Sequence, residues 1–108
     1  MNKFINAFNG LKISLNHKGL LIQYTIALVV GIITIFIDIA LWKKVSIVLC
    51  IFLVLVSETI NTCIERICDK ICEHYDDDIK DIKDMAAGFV LLSSICALTI
   101  AFMVLIGE

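Results

Sequence analysis

Long apolar runs separated by short polar stretches make up most of the 108-residue chain. Three runs, at residues 22–42, 45–72 and 85–106, reach the roughly 20 residues that a helix needs to cross a bilayer. The middle run keeps its helical periodicity past its first charged residue to residue 72, so we expect this helix to extend beyond the bilayer. The polar residues 73–84 predict a loop between the second and third membrane helices.

A different pattern precedes the first span. Phe4, Phe8, Leu11 and Leu15 recur at helical spacing with polar residues between them. This spacing is typical of an amphipathic helix that lies on a membrane surface. We therefore predict a surface helix within residues 1–20.

The composition supports an all-α integral membrane protein. Apolar residues make up 60% of the chain and charged residues 19%, and the mean hydropathy is +0.98. The net charge of −2 gives no basic field for nucleic acid, so we expect no nucleic-acid partner. A single domain of residues 1–108 with three spans has little room for an enclosed pocket, so we expect an oligomer.

The basic residues predict the orientation. Seven of the nine lysines and arginines lie either before the first span or between Glu58 and the third span, a stretch that we call the second connection. The other two, Lys43 and Lys44, lie in the short first connection between the first two spans. Because cytoplasmic loops carry the excess of positive charge, we expect the second connection to face the cytoplasm. Eight of the eleven acidic residues lie in or beside that connection, where we expect the chemistry.

One face of the second membrane helix carries candidate chemistry. At about 100° per residue, its polar side chains form a stripe about 100° wide and three turns long: Glu58, Asn61, Thr62, Glu65 and Asp69. A carboxylate at the edge of the hydrocarbon is costly and indicates a functional site, although polar residues there can also simply bond neighbouring helices. Carboxylates on one face can hold a hard cation such as Mg²⁺ or supply a general base.

The stripe resembles the signature of a known family. The sequence ETINTCIERICD at residues 58–69, followed by KDMAAG at residues 83–88, is similar to the motifs of the small prokaryotic diacylglycerol kinases, which include the undecaprenol kinases. The sequence AFNGL at residues 7–11 is similar to the family's surface-helix motif.

The resemblance implies a homotrimeric membrane kinase that uses ATP and Mg²⁺ to phosphorylate a lipid hydroxyl at the cytoplasmic face of the cell membrane. Undecaprenol is the expected lipid, with diacylglycerol as the alternative. The resemblance assigns catalytic roles to Glu58, Asn61 and Asp69. It assigns ATP-binding roles to Glu65, His74, Tyr75, Asp76, Lys83 and Asp84. Glu65 is also assigned as a metal ligand.

The chain departs from the family's pattern before the first span. Family members place a metal-binding Glu there, and this chain has His17 or Lys18 instead, depending on a one-residue gap. His17 is thus a further candidate metal ligand, although Mg²⁺ prefers oxygen ligands. A catalytically degenerate membrane protein of the same fold remains an alternative. A small multidrug exporter fits less well, because such exporters have four spans and a Glu in the first span, whereas this chain has three predicted spans and Glu58 lies in the second.

Overall fold

The protein is described by a computed structural model for residues 2–108, and it is all-α. Four helices follow one another along the chain: α1 (Lys3–Leu15), α2 (Lys18–Phe36), α3 (Leu41–Ile71) and α4 (Asp77–Ile106). No strand occurs between residues 2 and 108, which confirms the predicted fold class.

Three of the helices are long and apolar enough to cross a membrane, as predicted: α2, α3 and α4. Their lengths are 19, 31 and 30 residues. At about 1.5 Å per residue, a helix of 30 residues is about 45 Å long, whereas the hydrocarbon core is about 30 Å thick. Both α3 and α4 are therefore longer than a perpendicular crossing of the hydrocarbon core requires.

The first helix is short and presents an apolar row outwards. The amide of Phe4 donates to the Asn2 side-chain oxygen at 2.9 Å, which caps the helix at its start. Phe4 and Phe8 are exposed, with 76% and 69% of their surface free. The helix ends at Leu15, so the segment predicted as one surface helix over residues 1–20 is divided by a turn at residues 16–17.

The first membrane helix ends earlier than its apolar run. It stops at Phe36 rather than at residue 42, and the chain is extended at Ile37 before α3 begins at Leu41. Because residues 35–42 contain one charged residue and no Gly or Pro, hydropathy alone does not mark this turn.

The last helix begins earlier than predicted. It starts at Asp77, inside the predicted loop at residues 73–84, which shortens the connection to residues 72–76. The Asp76 carboxylate accepts from the amides of Asp78 and Ile79 at 3.0 and 3.1 Å. This acidic run therefore starts a helix, since carboxylates stabilise the N-terminal cap and first turn.

Two pairs of hydroxyl groups join the membrane helices. The hydroxyls of Ser57 in α3 and Ser93 in α4 lie 2.7 Å apart, and Ser93 is buried. Tyr24 in α2 forms an equivalent bond of 2.7 Å with Thr59 in α3. Small residues and hydroxyl bonds are the usual means of joining membrane helices, because apolar side chains gain nothing by leaving lipid for protein.

Two lysines at the start of α3 hold the ends of the other two spans. Lys43 donates to the carbonyl of Gly107 at 2.7 Å, just after α4. Lys44 donates to the carbonyl of Ile35 at 2.8 Å, near the end of α2. Cations at helix C-termini satisfy carbonyls that lack an intrahelical partner and also complement the helix dipole.

Candidate active site

The predicted polar stripe lies on the continuous helix α3. Glu58 and Asn61 are half-buried, whereas Glu65 and Asp69, further along the helix, are exposed. The row therefore runs from a sheltered position in the bundle to open solvent. Within residues 2–108, the Glu58 carboxylate forms no hydrogen bond, while the backbone carbonyl of Glu58 accepts from the Thr62 hydroxyl.

Asn61 positions the next carboxylate in the row. Its side-chain amide donates to Glu65 Oε1 at 2.9 Å. Its own Oδ1 atom is buried and has no hydrogen-bond partner in the described part of the chain. A buried amide oxygen without a donor is costly, so this position favours a bound group that carries a hydroxyl or an N–H.

An ion pair joins α3 and α4 at the solvent end of the stripe. The Lys83 ammonium lies 2.6 Å from Asp69 Oδ1, so the two residues meet across the connection at residues 72–76. One turn earlier on α4, Lys80 bonds Asp84 at 2.6 Å. Both lysines lie on the same face of α4 because they are three residues apart.

A polar cavity of about 440 Å³ opens beside this ion pair. It brings together five of the predicted site residues with one that the sequence reading missed, Lys80; the six are Asp69, His74, Tyr75, Asp76, Lys80 and Lys83. Lys80 lies outside the motifs that carry the family resemblance, and it is the helix from Asp77 that places Lys80 beside Lys83.

The Tyr75 side chain is an exposed wall of this cavity, with 74% of its surface free. Hydrogen bonding to Asp77 raises the pKa of the Tyr75 hydroxyl above its ordinary value, and desolvation and the charge of Asp84 act in the same direction. The phenol therefore stays neutral at physiological pH and presents an aromatic face that carries no charge.

The carboxylates fit a metal ion that arrives with phosphate groups. Residues 2–108 contain no group of three His, Cys, Asp or Glu side chains arranged to hold a metal by themselves. One carboxylate oxygen of Glu65 accepts a hydrogen bond from the Asn61 amide, and Asp69 forms an ion pair with Lys83. Mg²⁺ usually takes one or two carboxylates and completes its shell with waters and substrate phosphates, and this donor set suits that arrangement.

His17 lies in a second polar cavity, which is separate from the first. The amide of Leu20 donates to His17 Nδ1 at 3.4 Å, so the imidazole caps the start of α2. The cavity measures about 550 Å³ and is also lined by Thr62 and Arg66 from α3. No carboxylate lines it, so the described residues around His17 resemble an anion site more than a site for a hard cation.

Together these features define a small helical membrane protein of several spans, whose second span carries a row of carboxylates out of the bilayer to a cavity with two lysines. The family of prokaryotic diacylglycerol kinases matches residues 5–105, so the chain belongs to this family of lipid kinases. Membership implies a membrane lipid and ATP as substrates. Compared with individually curated proteins, the chain matches none.

Proposed function

We propose that the protein transfers the γ-phosphate of ATP to the hydroxyl of undecaprenol, giving undecaprenyl phosphate, with Mg²⁺ at the nucleotide. The observation that carries the proposal is the row of polar residues on α3, which leads from the half-buried Glu58 to the Asp69–Lys83 ion pair. A lipid hydroxyl can approach this row from the bilayer and a nucleotide can approach it from water.

Glu58 acts as the general base. Its half-buried carboxylate takes the proton of the lipid hydroxyl as that oxygen bonds the γ-phosphorus. The bond from the phosphorus to the bridging oxygen breaks at the same time, and ADP leaves. Asn61 lies one turn away, where its unpartnered Oδ1 can accept from the lipid hydroxyl or from a water beside it.

The cavity beside the ion pair holds the nucleotide. Lys83 and Lys80 supply cations for the phosphates, and Tyr75 offers its exposed ring to the base. His74 and Asp76 line the same cavity and complete the contacts to the nucleotide. Asp84 lies outside the cavity lining and acts through its ion pair with Lys80, as Asp69 does with Lys83. Phosphoryl transfer depends mostly on positioning and charge neutralisation, and these side chains supply both.

Glu65 would hold Mg²⁺ together with the phosphates. The hydrogen bond from Asn61 fixes its carboxylate and leaves the second oxygen for the metal. When bound, Mg²⁺ neutralises phosphate charge and orients the γ-phosphate for in-line attack.

We place the site at the cytoplasmic face of the cell membrane. The end of the molecule that carries the polar cavity also carries Arg66, Lys70, Lys80 and Lys83, whereas Lys43 and Lys44 lie at the opposite end. This distribution follows the positive-inside rule. We propose a homotrimer, in line with the resemblance of the sequence. The many outward apolar side chains of the single chain are compatible with helix contacts between copies.

Diacylglycerol is the alternative acceptor, and the name of the matching family favours it. Apolar grooves run along the spans on either side of the Glu58 position, and their linings are apolar enough for a prenyl chain or an acyl chain. The choice between the two lipids therefore belongs to experiment.

The test is transfer of labelled γ-phosphate from ATP by the purified protein, with Mg²⁺, to undecaprenol and to diacylglycerol in parallel mixed micelles. We expect undecaprenol to be phosphorylated and Glu58→Gln to reduce the rate by about 10²- to 10⁴-fold, the usual range for a lost general base. Asp38→Asn is the matched control, because this exposed acid lies in the turn at the other end of the molecule and should leave the rate unchanged.

Phosphorylation of diacylglycerol alone would assign the alternative acceptor. If the folded protein phosphorylates neither lipid, the kinase proposal is wrong and the degenerate membrane protein takes its place.

A further inference from the structure

We propose that Cys68 and Cys72 form a reversible disulfide that changes the shape of the polar cavity beside the Asp69–Lys83 ion pair. The five cysteines of the chain are free thiols in the structure, and these two lie one helical turn apart at the end of α3. Neither thiol takes part in the proposed phosphoryl transfer. The pairing is independent of the proposed function, whereas its effect on ATP binding rests on that function.

The backbone brings the two cysteines close together. The amide of Cys72 donates to the carbonyl of Cys68 at 3.0 Å, so the last turn of α3 joins them. Side chains four residues apart on a helix are neighbours, with Cβ atoms about 5–6 Å apart. A disulfide needs a Cβ separation of about 3.8 Å, so the last turn must rearrange slightly before the bond can close.

The end of α3 allows this rearrangement. Cys72 is the C-cap residue, and its backbone is already extended, with φ −143° and ψ 113°. The next helix starts at Asp77, so the torsion angles of Cys72 can change without breaking a helix on either side. Its sulfur is held by one hydrogen bond, to the carbonyl of His74 at 3.0 Å. Because a thiol is a weak donor, this bond is easily exchanged.

The two thiols differ in their access to solvent. Cys72 is half-buried and lines the cavity, where a small water-soluble molecule can reach it. Cys68 is buried, with 3% of its surface exposed, so it can react only with a group that the chain itself brings to it. An accessible cysteine beside a second, resolving cysteine is a common arrangement in redox sensors.

The oxidant is a low-molecular-weight disulfide, for which oxidised glutathione is the probe. The Cys72 thiolate attacks one sulfur of that disulfide, which forms a mixed disulfide and releases one small thiol. The Cys68 thiolate then attacks the Cys72 sulfur, and the second small thiol leaves. The two protein thiols lose two electrons and two protons, which the two released small thiols carry. Strained disulfides are readily reduced again, as a reversible switch requires.

The disulfide would act on two parts of the cavity. Asp69, which forms the ion pair to α4, lies between the two cysteines. His74 and Tyr75 follow Cys72 in the short connection and line the cavity. When the Cys72 sulfur leaves the His74 carbonyl and bonds Cys68, these lining residues are displaced. We therefore expect oxidation to weaken nucleotide binding and reduction to restore it.

The first measurement tests the pairing without ATP. The purified full-length protein in mixed micelles is equilibrated with reduced and oxidised glutathione, free thiols are alkylated, and the chain is digested with trypsin. Trypsin cleaves after Arg66, Lys70 and Lys80, so the two cysteines fall in separate peptides, 67–70 and 71–80. We expect mass spectrometry to find these peptides joined, in a chain that runs as a monomer on a denaturing gel without reductant.

The second measurement is the KM for ATP of the oxidised and the reduced protein. We expect oxidation to raise the KM about tenfold, as the loss of one charge-assisted contact would, and dithiothreitol to reverse the change. Cys72→Ala should remove this response, and Cys68→Ala should stop at the mixed disulfide. Cys63→Ala is the matched control: Cys63 is an exposed thiol on another face of α3, and without it the joined peptides should still form.

The two measurements separate failure of the switch from failure of the proposed function. If the protein phosphorylates no lipid, the joined peptides still test the pairing, and amide hydrogen exchange within residues 71–80 replaces the KM as the test of the cavity. Absence of the joined peptides overturns the proposal, as does a disulfide-linked dimer on the gel. An oxidised protein that matches the reduced one in KM and in amide exchange also overturns it.

Discussion

The Lys83 ammonium of α4 lies 2.6 Å from the Asp69 carboxylate of α3, beside the cavity proposed for the nucleotide. Asp69 neutralises this lysine in the chain without nucleotide, and Asp84 does the same for Lys80. If the cavity binds ATP as proposed, the incoming phosphates would take over both ammonium groups and release the carboxylates of Asp69 and Asp84. On this proposal, the two ion pairs neutralise the lysines until a substrate replaces the carboxylates.

Removing either lysine should weaken ATP binding. We expect Lys83→Ala and Lys80→Ala each to raise the KM for ATP about tenfold, because each loses a charge-assisted bond to phosphate. Steady-state kinetics at saturating lipid measure the effect, with Lys70→Ala as the control for lost charge. An unchanged KM in Lys80→Ala would exclude Lys80 from the nucleotide site.

Asn61 should matter through Glu65. Asn61→Ala removes the amide that holds the Glu65 carboxylate, and we expect a loss of about 10- to 100-fold in activity or metal affinity, the usual cost of removing a ligand's supporting bond. A titration of activity against Mg²⁺ should show a higher half-saturating concentration. Thr62→Val is the control, since the Thr62 hydroxyl bonds the carbonyl of Glu58 within its own helix. A shift as large in Thr62→Val would mean that the effect is not specific to Asn61.

Asp76 has a structural role and a proposed binding role, and two substitutions separate them. Asp76→Ala removes the cap of α4 and should cost about 1 kcal/mol of stability, whereas Asp76→Ser keeps a capping oxygen. Unfolding in mixed micelles measures stability, and the KM for ATP reports binding. If Asp76→Ser restores stability and leaves the KM raised, the carboxylate contacts the nucleotide; if it restores both, Asp76 serves only as a cap.

The hydroxyl pair between α3 and α4 should stabilise the bundle modestly. Ser57 and Ser93 lie 2.7 Å apart, and bonds of this kind in membrane proteins average about 0.6 kcal/mol. A double-mutant cycle with Ser57→Ala and Ser93→Ala, read from reversible unfolding in mixed micelles, should give a coupling energy of about that size. A coupling energy of zero would assign the contact to packing alone.

The spans and the polar row could be predicted from sequence because both depend on local properties. Long apolar runs predict membrane helices, and the fixed rotation per residue brings Glu58, Glu65 and Asp69 onto one face of a continuous helix. The kinase family was recognised from these same residues, and the family match confirms it. The individual roles of the residues remain predictions.

Contacts between helices could not be predicted in the same way. The meeting of Lys83 with Asp69 depends on how the connection at residues 72–76 turns, and local hydropathy does not specify that turn. The early start of α4 was missed because capping acids at 76–78 have the composition of a loop. The cavity around Arg66 depends on how α1 folds back against α2 and α3, which no local pattern on either helix indicates.

The bonds from Lys43 and Lys44 also bear on how the bundle can move. These two bonds fasten the ends of α4 and α2 to the beginning of α3, so all three spans are tied together at the end opposite the polar cavity. If one span tilts about this tied end, its residues are displaced most at the opposite end, where Lys83 meets Asp69. The end of the bundle with Lys43 and Lys44 is therefore the more tightly tied one, and the end with Asp69 and Lys83 is where the spans can separate most.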